Sequence, residues 1–302
     1  MKIVKGIAIV FTFLILLGSC FEPPEFPDTP EIVFEDLLFK EIGDRSKADS
    51  LILTISFRDG DGDVGVDADQ INQPFHELNF YAATSSQLLA IGTDTYGDLP
   101  FDVLNSTNIN GKLLTYRDIR TNSNYDTLPR FEGFFRCMNY LVDTILVVQN
   151  AAQIIDDSYN ILDTLVFPDG GPGVDDDILD LYIVADTFYI ESNPFHYNLE
   201  IDFLTKDPSI PGPRDEEGFV EFNWRTYTPT GQGCGQTFDA RVPVLGDTRA
   251  LDGTIRYGME SIGFREIFKT NLMKFRITLR DRAMNTSNVI KTPAFTLDDI
   301  KN

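Results

Sequence analysis

At 302 residues and 42% hydrophobic, the chain can fill one large or two ordinary domains with apolar core, which excludes wholesale disorder. Its formal charge of −22 argues against nucleic acid as a partner, because phosphate binding needs clustered Lys and Arg. Cys137–Thr205 holds 13 acidic residues and no base, whereas Arg214–Lys291 holds 12 basic and 10 acidic. The two stretches either face different partners or simply keep the chain soluble.

In chain order, Lys2 and Lys5 precede the uncharged run Gly6–Leu17. That run is too short to cross a bilayer core of ~30 Å, which takes about 20 helical residues, and has the length of a secretory signal core. It closes on Leu17-Gly18-Ser19-Cys20, which resembles the lipobox of bacterial lipoproteins. The resemblance implies a signal peptide over residues 1–19, a diacylglycerol on the Cys20 thiol and a mature chain that begins at Cys20. Acyl chains at ~0.8 kcal/mol per buried methylene then hold the protein to a membrane.

Residues 20–31 read as an acidic tether, since Pro23, Pro24, Pro27 and Pro30 bar both helix and sheet. Between Phe21 and Phe39 there are six acids and no base, similar to the acidic segment that promotes surface export in Bacteroidota-type lipoproteins. The resemblance implies an outer-membrane protein facing the cell surface, with the periplasmic face as the alternative.

Beyond the tether, period-two patterns dominate. Leu51, Leu53, Ile55 and Phe57 alternate with more polar neighbours, as do Tyr197, Leu199, Ile201 and Phe203, and then Phe275, Ile277 and Leu279. Successive strand side chains point to opposite faces, so these are strands with one buried face. Further strand-like runs fall at Ile32–Phe39, Glu77–Ala82, Gly133–Tyr140, Thr144–Gln149, Leu179–Tyr189, Phe219–Tyr227, Phe238–Leu245 and Asn288–Leu297. The only helix candidates are Ala151–Asp157 and Gly263–Phe268. Many strands and few helices predict an all-β, antiparallel sandwich.

The end of the chain reads strand, then Arg280-Asp281-Arg282-Ala283-Met284-Asn285-Thr286-Ser287, then strand. It resembles the closing strand pair of bacterial immunoglobulin-like and cadherin-like sandwiches. Leu53–Asp59 and Phe275–Asp281 also share a pattern that ends in Arg-Asp, a hint of duplication. The interruption Pro168–Asp177 then divides the chain into a β-sandwich over 32–167 and an immunoglobulin-like one over 178–299, packed as two halves. The whole chain resembles exported Bacteroidota-type lipoproteins of uncharacterised function, on the lipobox, the Asp-Gly-Asp-Gly-Asp segment and the final hairpin.

Asp59, Asp61, Asp63, Asp67 and Asp69 crowd into 11 residues. A like-charge pair ~6 Å apart in water costs about 0.7 kcal/mol, which a divalent cation relieves. Hard oxygen donors suit calcium, and the interleaved glycines let the chain fold around an ion. Val64 and Gln70 stand where an EF-hand needs its Gly and its bidentate acid, so an EF-hand is excluded. A looser calcium-stiffened turn remains, against a plain solvated loop; Asp175-Asp176-Asp177 is a poorer second candidate.

With Cys20 committed to lipid, Cys137 and Cys234 are left to form a disulfide in an oxidising compartment or to stay free. Trp224 and Tyr227 are candidate sugar-binding aromatics, with a core role for Trp224 as the alternative. His76 and His196 form no zinc motif, and neither a nucleophile elbow nor a phosphate loop is present. The sequence therefore predicts a non-enzymatic, lipid-anchored binding or scaffolding module with an envelope protein or glycan as partner. The alternatives are a carbohydrate-binding accessory lipoprotein and a carboxylate-based glycoside hydrolase.

Overall fold

The computed structural model describes residues 26–44, 46–70, 74–81, 88–89, 91–96, 99–105, 113–133, 135–149, 161–166, 180–210, 212, 217–224, 227, 237–246 and 250–302. Residues 1–19, where a signal peptide is expected, Cys20, Cys234, Ala151–Asp157 and Pro168–Asp177 lie outside them. Strands dominate: β1 (Glu31–Lys40), β2 (Asp49–Asp59), β3 (Leu78–Tyr81), β4 (Leu88–Leu89), β5 (Ile91–Tyr96), β6 (Leu99–Asn105) and β7 (Tyr140–Gln149). They continue as β8 (Ile161–Val166), β9 (Asp180–Ser192), β10 (Leu199–Lys206), β11 (Phe219–Glu221), β12 (Leu251–Ser261), β13 (Met273–Leu279) and β14 (Ile290–Lys291). The helices are short: α1 (Tyr116–Thr121), α2 (Phe135–Met138) and α3 (Phe264–Phe268). Among the described residues no helix is long and apolar enough to cross a membrane.

The predicted all-β class holds, and nearly every strand pairing is antiparallel, β6 with β7 being parallel. Among the described residues three sheets form, with strand orders β1-β2-β12, β11-β10-β13-β14 and β4-β3-β9-β7-β6-β5, and β8 also pairs with β9. The first two sheets share one hydrophobic core. Strand alternation builds it: Leu51, Leu53, Ile55 and Phe57 of β2 face Leu199, Ile201 and Phe203 of β10 and Met273, Phe275, Ile277 and Leu279 of β13 across one cluster. A second, smaller core of Leu114, Ile119, Tyr140 and Tyr189 lies against the third sheet.

Strand pairing crosses between the expected units 32–167 and 178–299 as well as running within each. β2 bonds to β12 over eleven residue pairs, from Asp59↔Leu251 to Asp49↔Ser261. β8 and β9, on either side of Pro168–Asp177, are antiparallel neighbours in one sheet. A turn-rich interruption between strands of one sheet looks the same in sequence as one between domains. The chain leaves the first two sheets after β2, builds the third, and returns at β10. Asn193 clips the crossing: its side-chain amide donates to the Pro74 and His76 carbonyls, and its own N–H donates to Glu77 O.

Several predicted elements differ. Gly133–Tyr140, read as a strand, contains helix α2, and β7 starts only at Tyr140. Phe219–Tyr227 shortens to β11 and Asn288–Leu297 to β14, the latter stopping before Pro293, which has no N–H to give a ladder. Phe238–Leu245 forms no named strand and meets β10 through the Leu199↔Ala240 bridge and the Ile201 N–H donated to Asp239 Oδ1. Helix α3 matches the predicted Gly263–Phe268. Helix α1 was not anticipated, although Thr115-Tyr116-Arg117-Asp118 is a capping box: Thr115 Oγ1 accepts the Asp118 N–H, and the Asp118 carboxylate accepts the Thr115 N–H.

Candidate metal centre

Strand parity forces a carboxylate into the interior. On β2 the inward row is Leu51, Leu53, Ile55, Phe57 and then Asp59, whose residue exposure is 0%. On β13 the same parity runs Phe275, Ile277, Leu279 and then Asp281, at 1%. Both rows end at the same edge of the core, where Val64 forms a bridge with Asp281. The Arg-Asp endings shared by the two segments thus mark two buried acids.

The loop that follows Asp59 folds back over it. Asp59 Oδ2 accepts the N–H of Asp63 at 2.8 Å and of Val64 at 3.2 Å. Asp63 Oδ2 accepts the Ala283 N–H at 3.0 Å, and Arg282 reaches across to Gly65 O at 3.2 Å. Two glycines make the fold possible. A Cβ at Gly60 would sit 2.2 Å from Phe26 O, and Gly65 holds φ +118° where a Cβ would meet Pro243 O at 2.5 Å. Asp281 is internally satisfied, accepting from the Asn285 N–H at 2.7 Å and from its side-chain amide at 2.8 Å.

Asp59 Oδ1 and Asp63 Oδ1 are different. Both atoms are buried and neither has a hydrogen-bond partner. A buried carboxylate oxygen without a donor is costly, and these two sit beside further negative charge. Burial raises the Asp59 carboxyl to about 6, helped by repulsion from Asp61 and Asp281 and opposed by the two amide donors. Burial likewise raises Asp63 to about 6, with Asp281, Asp61 and Asp59 all adding repulsion.

Oxygens of Asp59, Asp61 and Asp63 lie within 4.8 Å of one another. Two oxygens bound to one calcium at 2.3–2.6 Å are at most about 5 Å apart, so one ion can reach all three. The donor set is all oxygen and anionic, which favours a hard cation over a thiophilic one. The structure therefore brings together three of the five predicted ligands. Asp67 and Asp69 are turned elsewhere: Asp67 Oδ1 accepts the Val244 N–H at 3.0 Å, and both acids face the Arg241 guanidinium. Asp281, which sequence spacing did not flag, supplies the charge behind the cluster instead. Its signal was present in the repeated Arg-Asp strand ending.

The other predicted site residues fall in separate places. Trp224 is a core residue at 9% exposure, edge-on to Phe203, Phe222, Phe238 and Phe268, so the sugar-platform expectation loses its main aromatic. Tyr227 packs on Phe222 at 5.0 Å. His76 and His196 both lie at the chain crossing, where Leu78 N–H donates to His76 Nδ1 and His196 Nδ1 contacts Phe75 O. Cys137, in α2, is disulfide-bonded, while Cys20, Cys234 and Asp175–Asp177 lie outside the described residues.

No family model matches the chain, and neither a curated protein nor a solved structure is similar to it.

Proposed function

We propose that this chain is an exported envelope protein, lipid-anchored at Cys20, that acts as a binding or scaffolding module on an immunoglobulin-like sandwich stiffened by calcium at Asp59, Asp61 and Asp63. The observation that carries the calcium assignment is the buried, unpartnered Asp59 Oδ1 within reach of two further carboxylates. The immunoglobulin-like reading is supported by strand order. Taken along the chain, the first, second and fifth strands of the two core-sharing sheets (β1, β2, β12) lie together, and the third, fourth, sixth and seventh (β10, β11, β13, β14) form the other sheet. Immunoglobulin-type sandwiches divide their strands this way, and the end that gathers their second-to-third and sixth-to-seventh connections is a recognition end. Here those connections carry the acidic loop and the Asp281 turn, and the first of them also contains the whole third sheet.

An ion at this point cross-links the loop through which the chain departs to the turn that closes the sandwich. That suits a module whose task is to hold an inserted unit at a fixed attitude on a cell envelope. Anchoring at Cys20 leaves Cys234 as the partner of Cys137, a covalent tie between the inserted sheet's flank and the segment before Phe238.

Calorimetric titration of calcium into EDTA-stripped protein tests the metal. One site is expected, lost in Asp61→Asn; no heat and an unchanged melting temperature at millimolar calcium remove it. Mass spectrometry of the mature amino terminus tests the anchor, which an unprocessed, unacylated Met1 terminus would remove.

A further inference from the structure

We propose that the pocket between Tyr81, Tyr125 and Tyr189 binds an organic ammonium group, with Glu191 as its counter-ion. The site lies on the third sheet, away from the acidic loop, and does not depend on the calcium reading.

Its walls follow from register. β3 pairs with β9 through Asn79↔Glu191 and Phe80↔Ile190, which sets Tyr81 opposite Tyr189. Period-two alternation then puts Tyr81, Tyr189 and Glu191 on one face and Phe80, Phe188 and Ile190 on the other. The Tyr81 and Tyr189 rings lie 5.6 Å apart. The 3₁₀ turn Ser123–Tyr125 and the following Leu128 close the far side, leaving a pocket of about 280 Å³ with Asn124 and Thr127 at its rim.

Glu191 is the informative residue. Tyr81 Oη donates to its Oε2 at 2.5 Å and Tyr189 Oη to its Oε1 at 2.9 Å. Two phenol donors fix the carboxylate in place. Yet among the described residues no Lys or Arg is paired with it, and none lines the pocket. A purely structural tyrosine cluster needs no anion at its mouth; Tyr140 in the same cluster gives its hydroxyl to a backbone carbonyl, Pro129 O, instead. A half-buried carboxylate walled by aromatic rings is the combination that attracts an organic cation, through its charge and through the negative faces of the rings. The volume suits one small head group or one side chain rather than a drug-sized molecule.

Ligand-observed NMR and calorimetry on the full chain, run alike in EDTA and in millimolar calcium so that any contribution from the acidic loop shows as a difference, test the proposal. The probes are choline, tetramethylammonium, the uncharged choline isostere 3,3-dimethylbutan-1-ol, and glucose. Choline and tetramethylammonium are expected to bind at least tenfold more tightly than the isostere. Glu191→Gln should lose at least tenfold. Thr127→Lys, which supplies a cation at the exposed rim without touching the Tyr–Glu network, should do the same even if Glu191→Gln misfolds. Equal binding of the charged and uncharged isosteres, preference for glucose, no binding of either cation, or an unaffected Thr127→Lys variant each overturns it.

Discussion

Asp59→Asn should make the protein more stable without calcium and less stable with it. In the metal-free protein the Asp59 carboxyl sits at about 6 against 3.8 in the unfolded chain. The folded state therefore holds that proton more tightly. The favourable contribution is complete below about pH 4 and is lost as pH rises through 6, so at pH 7.5 the ionised group costs roughly two pKa units, about 3 kcal/mol. Asn keeps an oxygen for the Asp63 and Val64 amides and replaces the unpartnered Oδ1 with a donor that faces the neighbouring carboxylates. Relief of about 3 kcal/mol raises the melting point by about 6–10 °C in a chain of this size. Calcium reverses the order once free ion is about a thousandfold over its dissociation constant, where it stabilises the wild type by about 4.1 kcal/mol and the variant hardly at all. Thermal unfolding followed by circular dichroism, in EDTA and in millimolar calcium, reads both arms. A variant that melts below the wild type in EDTA, or a wild type indifferent to calcium, refutes the reasoning.

The same titrations predict that wild-type protein in EDTA gains stability as pH falls from 7 toward 5, and that Asp59→Asn flattens this slope; urea midpoints at each pH measure it. Trp224→Ala should cost about 3–5 kcal/mol by emptying the aromatic core between Phe203 and Phe268, visible as a drop in urea midpoint rather than as a selective loss of ligand. Met284 holds φ +70° in the turn after Asp281, so Met284→Gly should stabilise by about 1 kcal/mol, read from the melting temperature. Asn193→Ala removes both clips on the chain crossing and should cost about 2–3 kcal/mol, with faster proteolysis near residues 74–77.

What the sequence determined by itself was local and periodic. Strict alternation in Leu51–Phe57, Leu199–Phe203 and Phe275–Leu279 specified three strands and their buried faces, because a side chain's face on a strand depends only on its parity. The acidity of Asp59–Asp69 was equally plain. Which strands are neighbours was not legible, because β2 and β12 meet across nearly two hundred residues and nothing in Leu251–Ser261, broken by Gly253 and Gly258, names its partner. The candidate site shows the same division. Spacing offered five aspartates, but only folding decided that Asp67 turns to Val244, that Asp59 and Asp63 are each left with an unsatisfied oxygen, and that Asp281 arrives behind them. Charge is written in the sequence; desolvation and proximity, which make charge reactive toward a cation, exist only once distant strand ends share one edge of a core.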